Sequence, residues 1–318
     1  MLTMKVLHRK DDSNASQALY YGIPWSNSTL GFVVSVTFRI VRFKPYVKLI
    51  YLPCHSTKVL VRLLQQEAMN PENDFVESIM FSENCGTLVA GRYAEFPTDS
   101  RRITRIASWS DPSYIARLQH IAENALIVCE CVHYCDYLNR YVHNNIWNFK
   151  SILPYVKLWP VRCVVRWLVH PNLNIVELTD DDCRIKHCFH VPIGELEEVM
   201  KKCDNEFKIW PVRLCPYNLP SVPGLIRQRE GKNKLFVEIQ LFGTCNKQYF
   251  SLRTSMRRLQ KAVLTVGGFS SLSSNSVMSK SEFWAMFDSS LYEWLRVKFH
   301  CVKILPGIFE ILDSLPPK

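Results

Sequence analysis

Cys129, Cys131, His133 and Cys135 are the most concentrated set of soft donors in the chain. Thiolate and imidazole are zinc ligands, and on a β-strand residues spaced by two share one face. Structural zinc sites, however, favour two hairpin-presented pairs, and a straight strand spreads alternate side chains too far apart to meet at one ion. These residues therefore read as a cysteine-rich strand, and no metal site is expected. A smaller cluster, His187, Cys188 and His190, follows the acidic residues Asp180, Asp181 and Asp182. It has no second ligand pair at a useful spacing and reads as a polar surface turn. A glycine-rich phosphate loop, a nucleophile elbow and a zinc-protease helix are all missing from the sequence.

A third segment carries surface rather than reaction chemistry. Trp159 and Trp167 lie beside Arg162 and Arg166 in an apolar stretch from Ile152 to His170. Indole rings and snorkelling cations suit a membrane–water interface, and the same pattern also fits an ordinary amphipathic core helix.

The elements that would position these residues show two recurring patterns. Phe32, Val34, Val36, Phe38 and Ile40 alternate with Ser35, Thr37 and Arg39, which predicts a strand over 30–40 after a polar start at Met1–Ser16. A second strand is expected at Tyr46–Leu52. Ser56 then caps a helix reaching Met69, and strands follow at Asp74–Phe81 and Gly86–Tyr93. The pattern returns as a helix over Ile193–Lys202, strands at Phe207–Leu214 and Leu235–Phe242, and helices at Ser255–Val266 and Ser281–Lys298. The expected fold is α+β: an antiparallel sheet with helices on one face, split by a helical insertion at about 95–190.

The chain is long enough to bury a sizeable core, with 318 residues of which 47% are hydrophobic. Lys and Arg outnumber Asp and Glu by 39 to 29, yet the basic residues occur at most in isolated pairs such as Arg257–Arg258. With no nucleic-acid-binding signature beside them, no nucleic-acid partner is expected. No apolar run reaches the ~20 residues of a membrane-spanning helix, and the polar Met1–Asn14 is no secretory signal, so the cysteines are expected to be reduced.

A family resemblance adds what composition cannot. Tyr21-Gly22-Ile23-Pro24-Trp25-Ser26-Asn27-Ser28-Thr29-Leu30-Gly31-Phe32 resembles the closing segment of the flavin domain in delta-24 sterol reductases. The likeness continues at Tyr46-Val47-Lys48-Leu49, Asn73-Asp74-Phe75-Val76-Glu77, Leu214-Cys215-Pro216 and Pro223-Gly224-Leu225. It is densest at Ser255-Met256-Arg257-Arg258-Leu259, Glu282-Phe283-Trp284, Met286-Phe287-Asp288 and Ser290-Leu291-Tyr292.

The resemblance implies a flavoprotein of the vanillyl-alcohol-oxidase type. Residues 1–44 would be the last strands of its FAD-binding domain and 45–318 its substrate (cap) domain, with the anchor and main pyrophosphate loops upstream of Met1. It further implies FAD with NADPH as reductant, a sterol such as desmosterol as substrate, and a site on the cytosolic face of the endoplasmic reticulum membrane. The Trp159, Arg162, Arg166 and Trp167 region would then meet the membrane. Ser28, Thr29, Leu30 and Gly31 are the implied flavin-near residues, with Ser28 standing where the family has glycine. The family pattern Tyr-Tyr-His-Arg-His appears as Tyr137-Leu138-Asn139-Arg140-Tyr141, so Tyr137 and Arg140 are the implied active-site residues and both histidines are replaced. The alternative is a non-catalytic sterol- or membrane-binding member of the same family. The resemblance does not define an oligomeric state.

Overall fold

Alternation at period two puts Val47, Leu49 and Tyr51 on one face of a strand and Ile50, Leu52 and Cys54 on the other, and both sets are packed by neighbours. A strand buried on both faces needs cover on both sides. The computed structural model, which describes residues 6–8, 14–96, 103–106, 114–141, 184–226, 230–245, 247, 250–272 and 277–314, shows how that cover is provided.

The strands are β1 (Tyr46–Cys54), β2 (Phe75–Ser82), β3 (Cys85–Ala94), β4 (Ile103–Thr104), β5 (Val128–His133), β6 (Arg184–Pro192), β7 (Val212–Leu219), β8 (Lys234–Thr244) and β9 (Phe269–Ser270). They form a single sheet in the order β4-β5-β1-β3-β2-β7-β8-β6-β9, antiparallel except where β4 meets β5. Two halves join at β2–β7 through a short register, Ser78↔Leu214, Ile79↔Arg213 and Met80↔Val212.

The helices are α1 (Asn14–Gly22), α2 (Thr57–Met69), α3 (Tyr114–Glu123), α4 (Tyr134–Leu138), α5 (Leu196–Phe207), α6 (Leu252–Thr265), α7 (Lys280–Met286), α8 (Ser289–Lys298) and α9 (Ile308–Ser314). Leu60 and Leu64 of α2, Val199 and Met200 of α5, and Leu259 and Val263 of α6 share one core against Met80, Leu88, Leu214, Val237 and Phe189. On the opposite face Tyr114, Leu118 and Ile121 of α3 cover Val47, Leu49, Tyr51, Ile79 and Val89. A third core gathers Phe283, Leu295, Ile308 and Leu312 of the C-terminal helices with Leu19, Leu30, Phe236 and Phe269. Helices therefore lie on both faces, not on one as expected. The pattern of the first half already required this, because both faces of β1 are apolar.

Several other expectations are corrected. Residues 31–44 lie in no strand, and Phe32, Val34, Val36, Phe38 and Ile40 are between 58% and 91% exposed. Alternation alone does not make a strand; it needs a hydrogen-bonding neighbour, and the described residues supply none here. The segment 95–190 is no simple insertion, since it contributes β5 and β6 to the interior of the strand order. Phe207 closes α5 instead of opening a strand, because Lys208 turns the chain with φ 50°, and β7 starts five residues later at Val212. Ser281–Lys298 divides into α7 and α8, each with its own cap. Ser279 and Glu282 form a capping box on α7, and Asp288 accepts from the Ser290 N–H at the start of α8. The polar start holds a helix from Asn14. The expected α2 is present with its Ser56 cap, which accepts from the Val59 N–H at 3.2 Å.

Candidate functional site

β7 alternates its side chains, with Val212 and Leu214 in the core under α2 and α5 and Arg213, Cys215 and Tyr217 on the other face. That second face is covered by α3 at one end and by the C-terminal helices at the other. Between them runs a strip of half-buried side chains: Arg213, Cys215 and Tyr217 on β7, Glu238 and Gln240 on β8, and Cys188 on β6. Each end of the strip carries a distinct group of chemically capable residues.

At the α3 end the structure brings the two expected residues together. Tyr137 stacks on Phe75, and the Arg140 guanidinium lies 3.8 Å from the Tyr137 ring centroid. Both are built around Glu77, a β2 carboxylate that is 3% exposed. Arg140 donates to Glu77 Oε1 from Nε at 3.1 Å, and Arg213 donates to Oε2 at 2.7 and 3.1 Å. The Tyr141 hydroxyl donates to Oε2 at 2.9 Å. The Tyr141 ring lies 4.6 Å from one guanidinium and 4.8 Å from the other. Burial, then the Glu77 charge, pushes the Tyr137 and Tyr141 phenols well above their ordinary value, so both stay protonated at any physiological pH. This arrangement fixes charge and closes the junction of the two half-sheets.

The expected flavin-near residues occupy a different place. Ser26–Gly31 forms a tight turn in which Thr29 Oγ1 donates to the Ser26 carbonyl at 2.6 Å and sits 2.7 Å from the Tyr292 hydroxyl. Arg296 of α8, itself buried, donates to the carbonyls of Thr29, Leu305 and Pro306. Leu30 is buried in the C-terminal core. Ser28 has φ 63°, in the left-handed region where glycine is at ease, and Gly31 has φ 142° with open space around the position of a Cβ. Thr29 and Leu30 thus hold the turn, while Asn27 and Ser28 are exposed and Gly31 is half-buried. The turn and the Tyr137–Arg140 pair lie in separate cores.

Next to that turn lies a cleft of about 460 Å³ between Tyr21–Trp25 and the 219–226 loop. Its walls are apolar and aromatic, including Trp25, Leu219, Val222, Leu225 and Phe269, and its polar groups are His190, Tyr217 and Glu238. His190 stacks on Phe269 with centroids 4.5 Å apart, and its Nδ1 is 3.0 Å from the Tyr217 hydroxyl. Glu238 sits directly across from His190 in the β6–β8 register. Burial holds the His190 imidazole down at about 4 against the opposing pull of Glu238, so the ring is neutral. Burial raises the Tyr217 phenol in the same way.

The expected polar turn at His187, Cys188 and His190 is therefore β6. His187 and His190 are 3% and 7% exposed, and His187 Nε2 is 2.5 Å from Ser270 Oγ. The available signal was the alternation of Ile185, His187, Phe189 and Val191 against Lys186, Cys188 and His190; the adjacent aspartates obscured it. Burial pushes the Cys188 and Cys215 thiols up to about 12 and 11, which makes them inert neutral thiols. In the other cysteine set Cys129 and Cys135 are exposed and Cys131 is buried. No cluster of three metal-ligating side chains exists among the described residues. The Trp159, Arg162, Arg166 and Trp167 surface lies outside the described residues. No described helix is long and apolar enough to cross a membrane.

No family model matches the chain. Among curated proteins, it is 28% identical over 300 residues to human Delta(24)-sterol reductase, covering 92% of this chain and 58% of that protein. A Caenorhabditis elegans protein named as a Delta(24)-sterol reductase homolog is 27% identical over 313 residues, covering 95% of this chain and 60% of its own length. The Arabidopsis thaliana Delta(24)-sterol reductase is 24% identical over 342 residues. The chain spans about 58% of the length of the first of these. The likeness to proteins named Delta(24)-sterol reductase thus extends over 92–95% of this chain, in animals and in plants alike.

Proposed function

We propose that the chain carries the substrate-binding part of a delta-24 sterol reductase, an oxidoreductase that saturates a sterol side-chain double bond such as that of desmosterol. The observation that carries this reading is the likeness over 92% of the chain to a protein named for that activity. The cleft beside Tyr217 supports it, because apolar and aromatic walls with few polar groups suit a mostly hydrocarbon ligand. In this reading FAD, reduced by NADPH, would supply the hydride chemistry, and the exposed Asn27 and Ser28, with Gly31, would lie at the flavin edge. The positive φ at Ser28 and the open space at Gly31 fit a close backbone approach there. Thr29, Tyr292 and Arg296 hold that turn in place. Residues 32–43, whose apolar side chains are exposed, would be covered by the flavin domain. Residence at the endoplasmic reticulum membrane belongs to the same proposal.

One observation favours a second reading, a sterol-binding chain without turnover. Arg140 is committed to Glu77, and the two positions that resemble family histidines hold Asn139 and Tyr141. One assay separates the two readings. The protein is incubated with FAD, NADPH and desmosterol, and sterols are identified by mass spectrometry. A product two mass units heavier supports the reductase. Retained desmosterol beside an active human enzyme leaves the binding chain.

A further inference from the structure

We infer that the face formed by the end of α8 and the one-turn helix after it docks on an anionic lipid surface. Trp294 and Val297 lie three residues apart on the solvent side of α8, whose buried side carries Tyr292, Leu295 and Arg296. His300, with φ 57°, then reverses the chain into the one-turn helix Cys301–Lys303, where Val302 and, just beyond it, Ile304 are exposed. These four apolar side chains are between 47% and 77% exposed. Lys298, His300 and Lys303 are exposed among them. None of these residues lines the cleft described above. The inference names a surface for the membrane residence proposed above, and it stands on these residues whether or not the chain reduces a sterol.

Each exposed aliphatic residue here adjoins a lysine in sequence, as in Val297-Lys298 and Val302-Lys303-Ile304. Protein interfaces deplete lysine at their core, because a buried ammonium needs a partner. A lipid surface satisfies the same pattern. Aliphatic side chains and an indole enter the acyl boundary, while lysine stems lie along it and their ammonium groups reach anionic headgroups. The nearby carboxylates weigh little against this, since Glu310 is paired with Lys280 at 3.0 Å and Glu293 is outnumbered by Lys298 and Lys303. A second copy is disfavoured by the same charges, because a two-fold contact brings each lysine toward its equivalents. The face is firmly mounted. Arg296, on the buried side of the same helix, donates to the carbonyls of Thr29, Leu305 and Pro306, and the Cys301 thiol donates to that of Leu30 at 3.7 Å. Docking therefore holds the Ser26–Gly31 turn within about 10 Å, one helix diameter, of the lipid.

The test is co-sedimentation of the unaltered chain with sterol-free vesicles of phosphatidylcholine, with and without phosphatidylserine. Phosphatidylserine should strengthen binding about tenfold or more, because each lysine near an anionic surface contributes roughly fivefold. Replacing both lysines, Lys298→Gln with Lys303→Gln, should remove most of that preference. Val297→Gln with Ile304→Gln should weaken binding to the phosphatidylserine vesicles by roughly tenfold, since two aliphatic side chains no longer enter the lipid. All four positions are exposed, and an unfolding transition for each double variant confirms that it folds. Binding by both double variants equal to that of the unaltered chain overturns the assignment and points to another surface, such as the exposed residues 32–43. So does an absence of vesicle binding, or binding that ignores phosphatidylserine. So does a dimer in vesicle-free sedimentation that Val297→Gln with Ile304→Gln converts to monomer. Vesicle binding that the variants lose, without reduction of desmosterol, removes the reductase reading and leaves this surface standing; reduction with vesicle binding unmoved by the variants does the reverse.

Discussion

The two ends of the sheet-face strip hold similar residue types in opposite conditions. At one end Glu77 answers two guanidiniums and a phenol, and these partners come from two distant stretches of chain: Arg140 and Tyr141 after α4, Arg213 from β7. At the other end His190 and Tyr217 are neutral, bonded to one another and faced by an apolar cleft. The first arrangement joins elements. The second leaves polar capacity for a visitor. Arginine and tyrosine in a sequence therefore do not mark a site by themselves; what matters is whether the fold has already used their hydrogen-bonding capacity.

The contrast is broken most directly at Glu77. Replacing it by alanine leaves the Arg140 and Arg213 guanidiniums facing one another without a counter-charge. Removing one partner of a buried ion pair typically costs about 3–5 kcal/mol. Urea denaturation of Glu77→Ala should show a loss of that size. A loss below about 1 kcal/mol would mean that solvent reaches the cluster and that it is not the structural joint described here.

Acid should act on the other half. His187 and His190 are held at about 4 by burial, below the ordinary histidine value of about 6.5. The unfolded chain therefore binds protons first as pH falls. Stability is fully present above about 6.5 and is lost between there and about 4, by up to roughly 3 kcal/mol for the more buried His187. Thermal unfolding at pH 7, 6 and 5 measures this directly. His187→Gln can keep a hydrogen bond to Ser270 and removes the titration, so its midpoint should fall less between pH 7 and 5. An equal fall in the variant would assign the acid sensitivity elsewhere.

How much of this the sequence discloses depends on the range of the interaction that decides each element. α2 with its Ser56 cap, the β2–β3 hairpin and β8 were legible because local alternation and capping settle them. The failure at residues 30–40 has the opposite cause, since a strand exists only with a neighbour and no window of sequence contains one. β6 was missed for a related reason: its hydrophobic face is interrupted by His187, whose polar nitrogen is answered by Ser270, 83 residues away. Tyr137 and Arg140 were singled out by the family resemblance and not by any local pattern, and they lie against one another. Glu77, the carboxylate that Arg140 pairs with, lies 63 residues earlier, so no local pattern could connect them. The cleft was the least legible of all, because its lining comes from α1, the turn after it, four strands and the 219–226 loop.

The finest comparison removes the same atom at both ends. Tyr141→Phe deletes a hydroxyl that donates to a buried carboxylate at 2.9 Å. Hydrogen bonds to charged acceptors are worth roughly 1.5–3 kcal/mol, and the two remaining guanidiniums soften the loss, so about 1–2 kcal/mol is expected. Tyr217→Phe deletes a hydroxyl bonded to a neutral imidazole at the mouth of an open cleft. Water can take its place against His190 Nδ1, and a cost of about 0.5 kcal/mol follows. Both variants keep their rings, so the Arg140 and Arg213 contacts at one end and the His190 edge contact at the other persist. Urea midpoints measured side by side, with slopes unchanged, isolate the hydroxyl in each setting. A larger cost at Tyr217 than at Tyr141 would reverse the assignment of joint and cleft, because the hydroxyl that the fold depends on more heavily is the one it cannot offer to a ligand.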